Sequence, residues 1–223
     1  MEKWERLGLV LPFDVMKFRL TYDGQLVTSG GNSGGRVADK WAIRKKIYPQ
    51  LVELWQTHPV LKGIGITAHP KPPPLRPIPI TIASPDQAAL TRLLEPITVG
   101  NRNFVPLVRE SLKLACGLDI LFLRKEQPGS LVLQGGDIDN RLKTLFDALR
   151  VPSAGDLEVE QPDVAHDPFY CLLEQDALIT SFSIETDRLL AKPDTPVNQV
   201  YLVIEVTVKV MTITEANVGF LGD

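Results

Sequence analysis

Hydrophobic and polar positions alternate along "MKFRLTYDGQLVT", Met16 to Thr28, which is the period-two pattern of a half-buried strand, and Asp23-Gly24 reads as a hairpin turn or a strand edge. "SGGNSGG", Ser29 to Gly35, reads as a flexible loop, and the period then changes. In "RVADKWAIRKKIYPQLVELWQTHP", Val37, Trp41, Ile47, Leu51, Leu54 and Trp55 mark one face of a helix, with Pro49 as a kink or early break. Arg36, Lys40, Arg44, Lys45 and Lys46 face mostly away from that stripe. "HPKPPPLRPIPITIASP", His69 to Pro85, holds seven of the 18 prolines and so predicts an extended connector or edge segment. Asp86 to Leu94 resembles a short helix with Ser84 as cap and Pro85 at its first position.

"NFVPLVRESLKLACGL" fits either element type, and Leu118 to Lys125 reads as a strand. A helix is predicted from Asp139 to about Arg150, because Leu142, Leu145, Phe146 and Leu149 fall at i, i+3, i+4 and i+7. Val151 to Phe169 reads as an acidic, proline-punctuated loop. "ALITSFSIETDRLLA" and "NQVYLVIEVTVKVMTI" are strand candidates, expected to form an antiparallel pair across "KPDTPV". No internal repeat is present. Strands, a central helix and returning strands predict an α+β fold, a mixed or antiparallel sheet packed with helices, rather than strict βαβ alternation. Either half alone is short of strands, so residues 1–223 are expected to form a single domain, with a proline-rich insertion around 63–110 and an enlarged loop over 151–169.

Composition adds limits rather than an identity. The 223 residues are 44% hydrophobic, enough to bury a sizeable core and unlike a disordered chain. A formal charge of -3 neither announces nor excludes a nucleic-acid binder, since basic residues can gather locally. Cys116 and Cys171 form no zinc motif and no disulfide framework, and are expected to be buried thiols. "MEKWERLGLVLPFDV" lacks a signal-peptide core, and no apolar run reaches the ~20 residues of a membrane span, so a cytoplasmic location is expected. His58, His69 and His166 share no metal-ligand spacing.

The chemistry-bearing stretch is "GGDIDNRLKTLFDAL". Asp139 suits a helix N-cap. If the chain before it is extended, Asp137 and Asp139 point to the same side, and two close carboxylates repel unless a cation joins them. Hard oxygen ligands favour Mg²⁺ or Mn²⁺. Lys143, one turn along and off the apolar stripe, can neutralise a phosphate or a developing oxyanion. The plainer alternative is an N-cap, a surface acid and an Asp139–Lys143 salt bridge.

The same residues resemble the central motif of the RusA family of Holliday junction resolvases, D-x-D-N-x-x-K-x-x-x-D-A-L, matched by Asp137, Asp139, Asn140, Lys143, Asp147, Ala148 and Leu149. "LLEQDALITSF" is similar to that family's later acidic patch, with Asp176 in the place of its second aspartate and Gln175 in the place of its first. The resemblance implies a homodimeric, Mg²⁺-dependent endodeoxyribonuclease that clamps branched DNA, a four-way junction, and nicks two strands symmetrically. It implies that Asp137, Asp139 and Asp176 bind the metal, that Lys143 assists cleavage and that Asn140 supports it. DNA would be gripped by Arg36, Lys40, Arg44, Lys45 and Lys46, with Arg124 and Lys125 as second candidates. Gln175 and the long 151–169 segment depart from the family pattern and leave a second expectation open: a DNA-binding protein on the same scaffold with impaired catalysis.

Overall fold

In the computed structural model, residues 13–26, 33–62, 92–125, 137–190, 194–196, 199–214 and 217 are described. The alternating N-terminal segment forms one strand, β1 (Phe13–Gln25), which continues straight through Asp23 and Gly24. It pairs antiparallel with β7 (Gln199–Val210) along its whole length, from Phe13 opposite Val210 to Gln25 opposite Gln199. Of the two readings of Asp23-Gly24 the strand edge is met, since β1 is an edge strand that ends at Gln25, while the hairpin turn is absent. Tyr22 explains why: its ring lies over Gly24 on the same strand face, and a Cβ there would stand 2.5 Å from the Tyr22 hydroxyl. Glycine makes room for a buried aromatic, and Tyr22 in turn donates to the Gln25 carbonyl at 2.7 Å.

β7 also pairs antiparallel with β4 (Leu114–Arg124), and β4 pairs parallel with β6 (Ile179–Arg188), giving a mixed sheet in the order β1-β7-β4-β6. The two C-terminal strands thus both flank β4 and do not form the antiparallel pair expected of them. A second mixed sheet, β2 (Ile97–Val99), β3 (Arg102–Val108) and β5 (Phe169–Leu173), has an antiparallel β2–β3 hairpin and a parallel β3–β5 pair. Gly100, at φ +60, occupies the hairpin turn that a side chain would strain. The fold is α+β with two mixed sheets. Residues 97–108, placed within an insertion by the sequence, supply strands of the second sheet, while 63–91 lie outside the described residues, as does all but the end of the helix expected over 86–94.

The long helix α1 (Ser33–Thr57) runs through Pro49, which is exposed and neither ends nor shortens it. Of "SGGNSGG", the final three residues begin this helix, and Ser29 to Asn32 lie outside the described residues. A one-turn helix, α2 (Pro59–Lys62), follows it. Ile43, Ile47, Leu51 and Trp55 join the main core with alternate residues of β1, β4 and β7, while Val37 and Trp41 join a second cluster with Phe104, Val151, Leu157, Phe169 and Cys171. Tyr48 packs against both. Burying Trp41 and Trp55 removes roughly 150–250 Å² apiece from water, on the order of 4–6 kcal/mol each. Gln50 fastens the helix to edge strand β1 through the Thr21 backbone, accepting from its N–H and donating to its carbonyl, each at 2.8 Å. Both cysteines are buried free thiols, pushed up to about 12 by burial. No helix of the described residues is long and apolar enough to cross a membrane.

Candidate active site at the start of the third helix

Helix α3 (Asp137–Leu149) begins two residues earlier than the sequence predicts, so Asp139 lies in its first turn rather than at its cap. The premise of an extended chain at Asp137 and Asp139 does not hold either, since both are helical, where positions two apart do not share a face. A negative charge in the first turn is favoured by the helix dipole, by about 0.3–1 kcal/mol. Leu142, Leu145, Ala148 and Leu149 are buried in the main core. Arg141, between the motif positions, is also buried and donates to the Leu26 carbonyl, tying the start of α3 to the end of β1.

The opposite face carries the chemistry. Asp139, Asn140 and Lys143 are exposed. Asp139 and Lys143 make no salt bridge with each other, and neither has a hydrogen-bond or ion-pair partner among the described residues. The plain reading of Asp139 as cap and ion-pair partner is therefore not what the fold does with it. Asp147 is spent locally, accepting from Arg150 at 3.3 Å.

Asp176 opens a 3-10 turn, Asp176–Leu178, directly before β6, and this turn packs against α3. Asp176 is exposed, and its side chain likewise has no hydrogen-bond or ion-pair partner among the described residues. Among those residues no three His, Cys, Asp or Glu side chains gather into a metal-ligating group, and the Asp137 side chain lies outside them. The donors described, Asp139 and Asp176, are hard carboxylates on two touching elements, the ligand type Mg²⁺ and Mn²⁺ take. Gln175 is engaged elsewhere: its amide donates to Glu110 at 2.8 Å, and Glu174 accepts from the Glu110 N–H at 2.9 Å.

The basic candidates on α1 divide sharply. Residues 151–169 are not one irregular loop but carry α4 (Ala154–Val159), closed by a capping box in which Ser153 and Asp156 bond each other's backbone N–H groups. Asp156 is buried and takes Lys40 at 2.5 Å and Arg44 at 3.0 Å, while Arg44 also donates to the Asp147 carbonyl at 2.8 Å. Burial alone would raise the Asp156 carboxyl, but Lys40 and Arg44 outweigh it and hold it below the usual carboxylate range. Lys40 and Arg44 therefore dock α4 onto α1 and are not a free DNA-facing pair. Lys45 pairs with Glu160, and Lys46 donates to the Asp23 carbonyl. Arg36 is exposed. Of the second candidates, Arg124 is buried and Lys125 donates to the Thr195 carbonyl at 3.2 Å. The signal for α4 was present in Ser153-x-x-Asp156, while nothing in the sequence marked Arg141 as an anchor.

Neither described histidine reaches α3: His58 accepts from the Val60 N–H at 3.3 Å, His166 packs on Tyr48, and His69 lies outside the described residues. No family model, no curated protein and no solved structure matches the chain.

Proposed function

We propose that this chain is a metal-dependent endodeoxyribonuclease of the RusA type, acting as a homodimer on branched DNA such as a four-way junction. One observation carries the reading. Asp139, Asn140 and Lys143 of the D-x-D-N-x-x-K motif stand exposed on α3, with Asp139 and Lys143 unpaired among the described residues, and the turn bearing Asp176 packs against that helix.

Asp139 and Asp176, on the two touching elements, would hold Mg²⁺ or Mn²⁺, with Asp137, whose side chain lies outside the described residues, added on the strength of the motif alone; the metal would supply an activated water and neutralise charge on the leaving 3′-oxygen. Lys143 lies against the nonbridging phosphoryl oxygens, a position its exposure leaves open. Asn140 orients a carboxylate or a water without changing the local charge. Arg36, Lys45 and Lys46 are the exposed cations of α1 that would contact phosphates, Lys45 and Lys46 by exchanging Glu160 and the Asp23 carbonyl for them, so binding weakens steeply with salt.

A second reading, a junction-binding protein with impaired catalysis, is favoured by Gln175, which replaces a family carboxylate and is tied to Glu110. Cleavage of a labelled four-way junction in Mg²⁺ or Mn²⁺, beside a linear duplex and an Asp139→Asn variant, separates the two. Paired symmetric nicks lost in the variant support the nuclease. Tight binding without nicks supports the second reading, and absence of binding overturns both.

A further inference from the structure

We propose that Phe182 is a stacking platform for an unpaired base beside the cleavage site. The inference rests on the nuclease reading and names the feature of its substrate that this face would recognise. Phe182 lies on β6 opposite Leu118, and its neighbours in the register, Ile184 opposite Ile120 and Thr186 opposite Phe122, place it on the core-facing side of the sheet. Leu118, Ile120 and Phe122 are all buried there, yet Phe182 is 55% exposed. β6 is an edge strand of the sheet, and the Phe146 ring of α3 meets Phe182 at 5.4 Å and 66°, an edge-to-face contact that holds the ring from one side.

The position of that contact ties the aromatic to the candidate site. Asp139, Lys143 and Phe146 fall at i, i+4 and i+7 of α3 and so share one helical face. Lys143 and Phe146, three apart, are neighbours on it, roughly 5–6 Å between Cβ atoms. Phe182 is therefore one side chain removed from the residue assigned to the phosphoryl oxygens, and its strand starts directly after the Asp176 turn. A nucleotide whose phosphate lies at Lys143 brings a base within reach of the Phe182 ring.

The size of the exposed feature selects the occupant. The next large exposed hydrophobic after Phe182 in its segment is Leu190, eight residues on and roughly 26 Å away along extended chain. A docked protein needs a contiguous apolar patch of several hundred Å². One exposed aromatic ring, flanked by the half-buried Phe146 and Ile184 and lying near a cation, matches a single base, and base–aromatic stacking is tolerant of sequence. A base can use the platform only when it is out of the duplex, so Phe182 would favour branch points over linear DNA.

The test is binding of a four-way junction carrying 2-aminopurine at branch-adjacent positions, in EDTA so that no strand is cut, with a linear duplex as control. Wild type is expected to change the 2-aminopurine fluorescence at one branch position. Phe182→Leu should lose that signal and about tenfold in junction affinity, with duplex binding unchanged. Phe182→Trp should restore both, and it keeps the assay decisive if the leucine variant folds poorly. Phe182→Leu that retains signal and affinity overturns the stacking role and leaves the nuclease reading standing. Loss of self-association in that variant, seen by sedimentation, also overturns it, by making the ring a contact between copies. Wild type that binds no junction removes the underlying reading instead.

Discussion

Asp156 joins three things that the sequence presents separately: the capping box of α4, the buried end of Lys40 and the guanidinium of Arg44, which also lies over the Trp41 ring at 5.0 Å. Removing one partner of a buried charge cluster leaves the others desolvated and uncompensated. Asp156→Asn is expected to cost about 3–5 kcal/mol in urea unfolding. The pH dependence has a definite sign. The folded carboxyl is held below its unfolded value, so the unfolded chain binds the extra proton. The stabilisation is fully present above an unfolded-state value of about 3.9, and it is lost as pH falls through the lower folded-state value. The gap in stability between wild type and Asp156→Asn should therefore narrow on acidification below about pH 4. A gap that stays constant to the acid limit of folding would show that folding does not lower the Asp156 carboxyl.

At the scale of elements, Gly24 records how a turn signal is overridden. Asp-Gly between alternating hydrophobics is strong hairpin chemistry, yet β1 continues because Tyr22 uses the space above the glycine. Gly24→Ala should destabilise by about 1–3 kcal/mol, and most of that cost should vanish in a Tyr22→Leu background, which a double-mutant cycle reads directly. An equal cost in both backgrounds would mean that the glycine serves the backbone and not the ring. The same contrast explains what was legible. The two C-terminal strands and the Leu118 to Lys125 part of β4 all read as strands, but their pairing does not, because it is decided by burial of β4 between them rather than by sequence adjacency. The capping box at Ser153 is a readable four-residue pattern that the surrounding prolines and acids obscured. Pro49 shows the reverse: a strong local breaker is carried by a helix whose Ile47, Leu51 and Trp55 are buried on either side of it.

At the scale of the molecule, α1 serves two cores at once, and its basic side is largely taken up by α4 and β1. That allocation was invisible in sequence, where five cations on one helix looked like a single surface. The candidate site was legible in its residues and not in its geometry. The motif names Asp139 and Lys143, while the packing of the Asp176 turn on α3 depends on tertiary contact between segments far apart in the chain. The proposed nuclease requires Asp139 and Asp176 to hold one cation between them. Titration of the full chain with Mn²⁺, read by electron paramagnetic resonance, tests it most directly. One bound ion per chain is predicted, weakened on the order of tenfold or more in both Asp139→Asn and Asp176→Asn. Wild type that binds no Mn²⁺, or an Asp176→Asn variant that binds it as wild type does, would contradict a shared site.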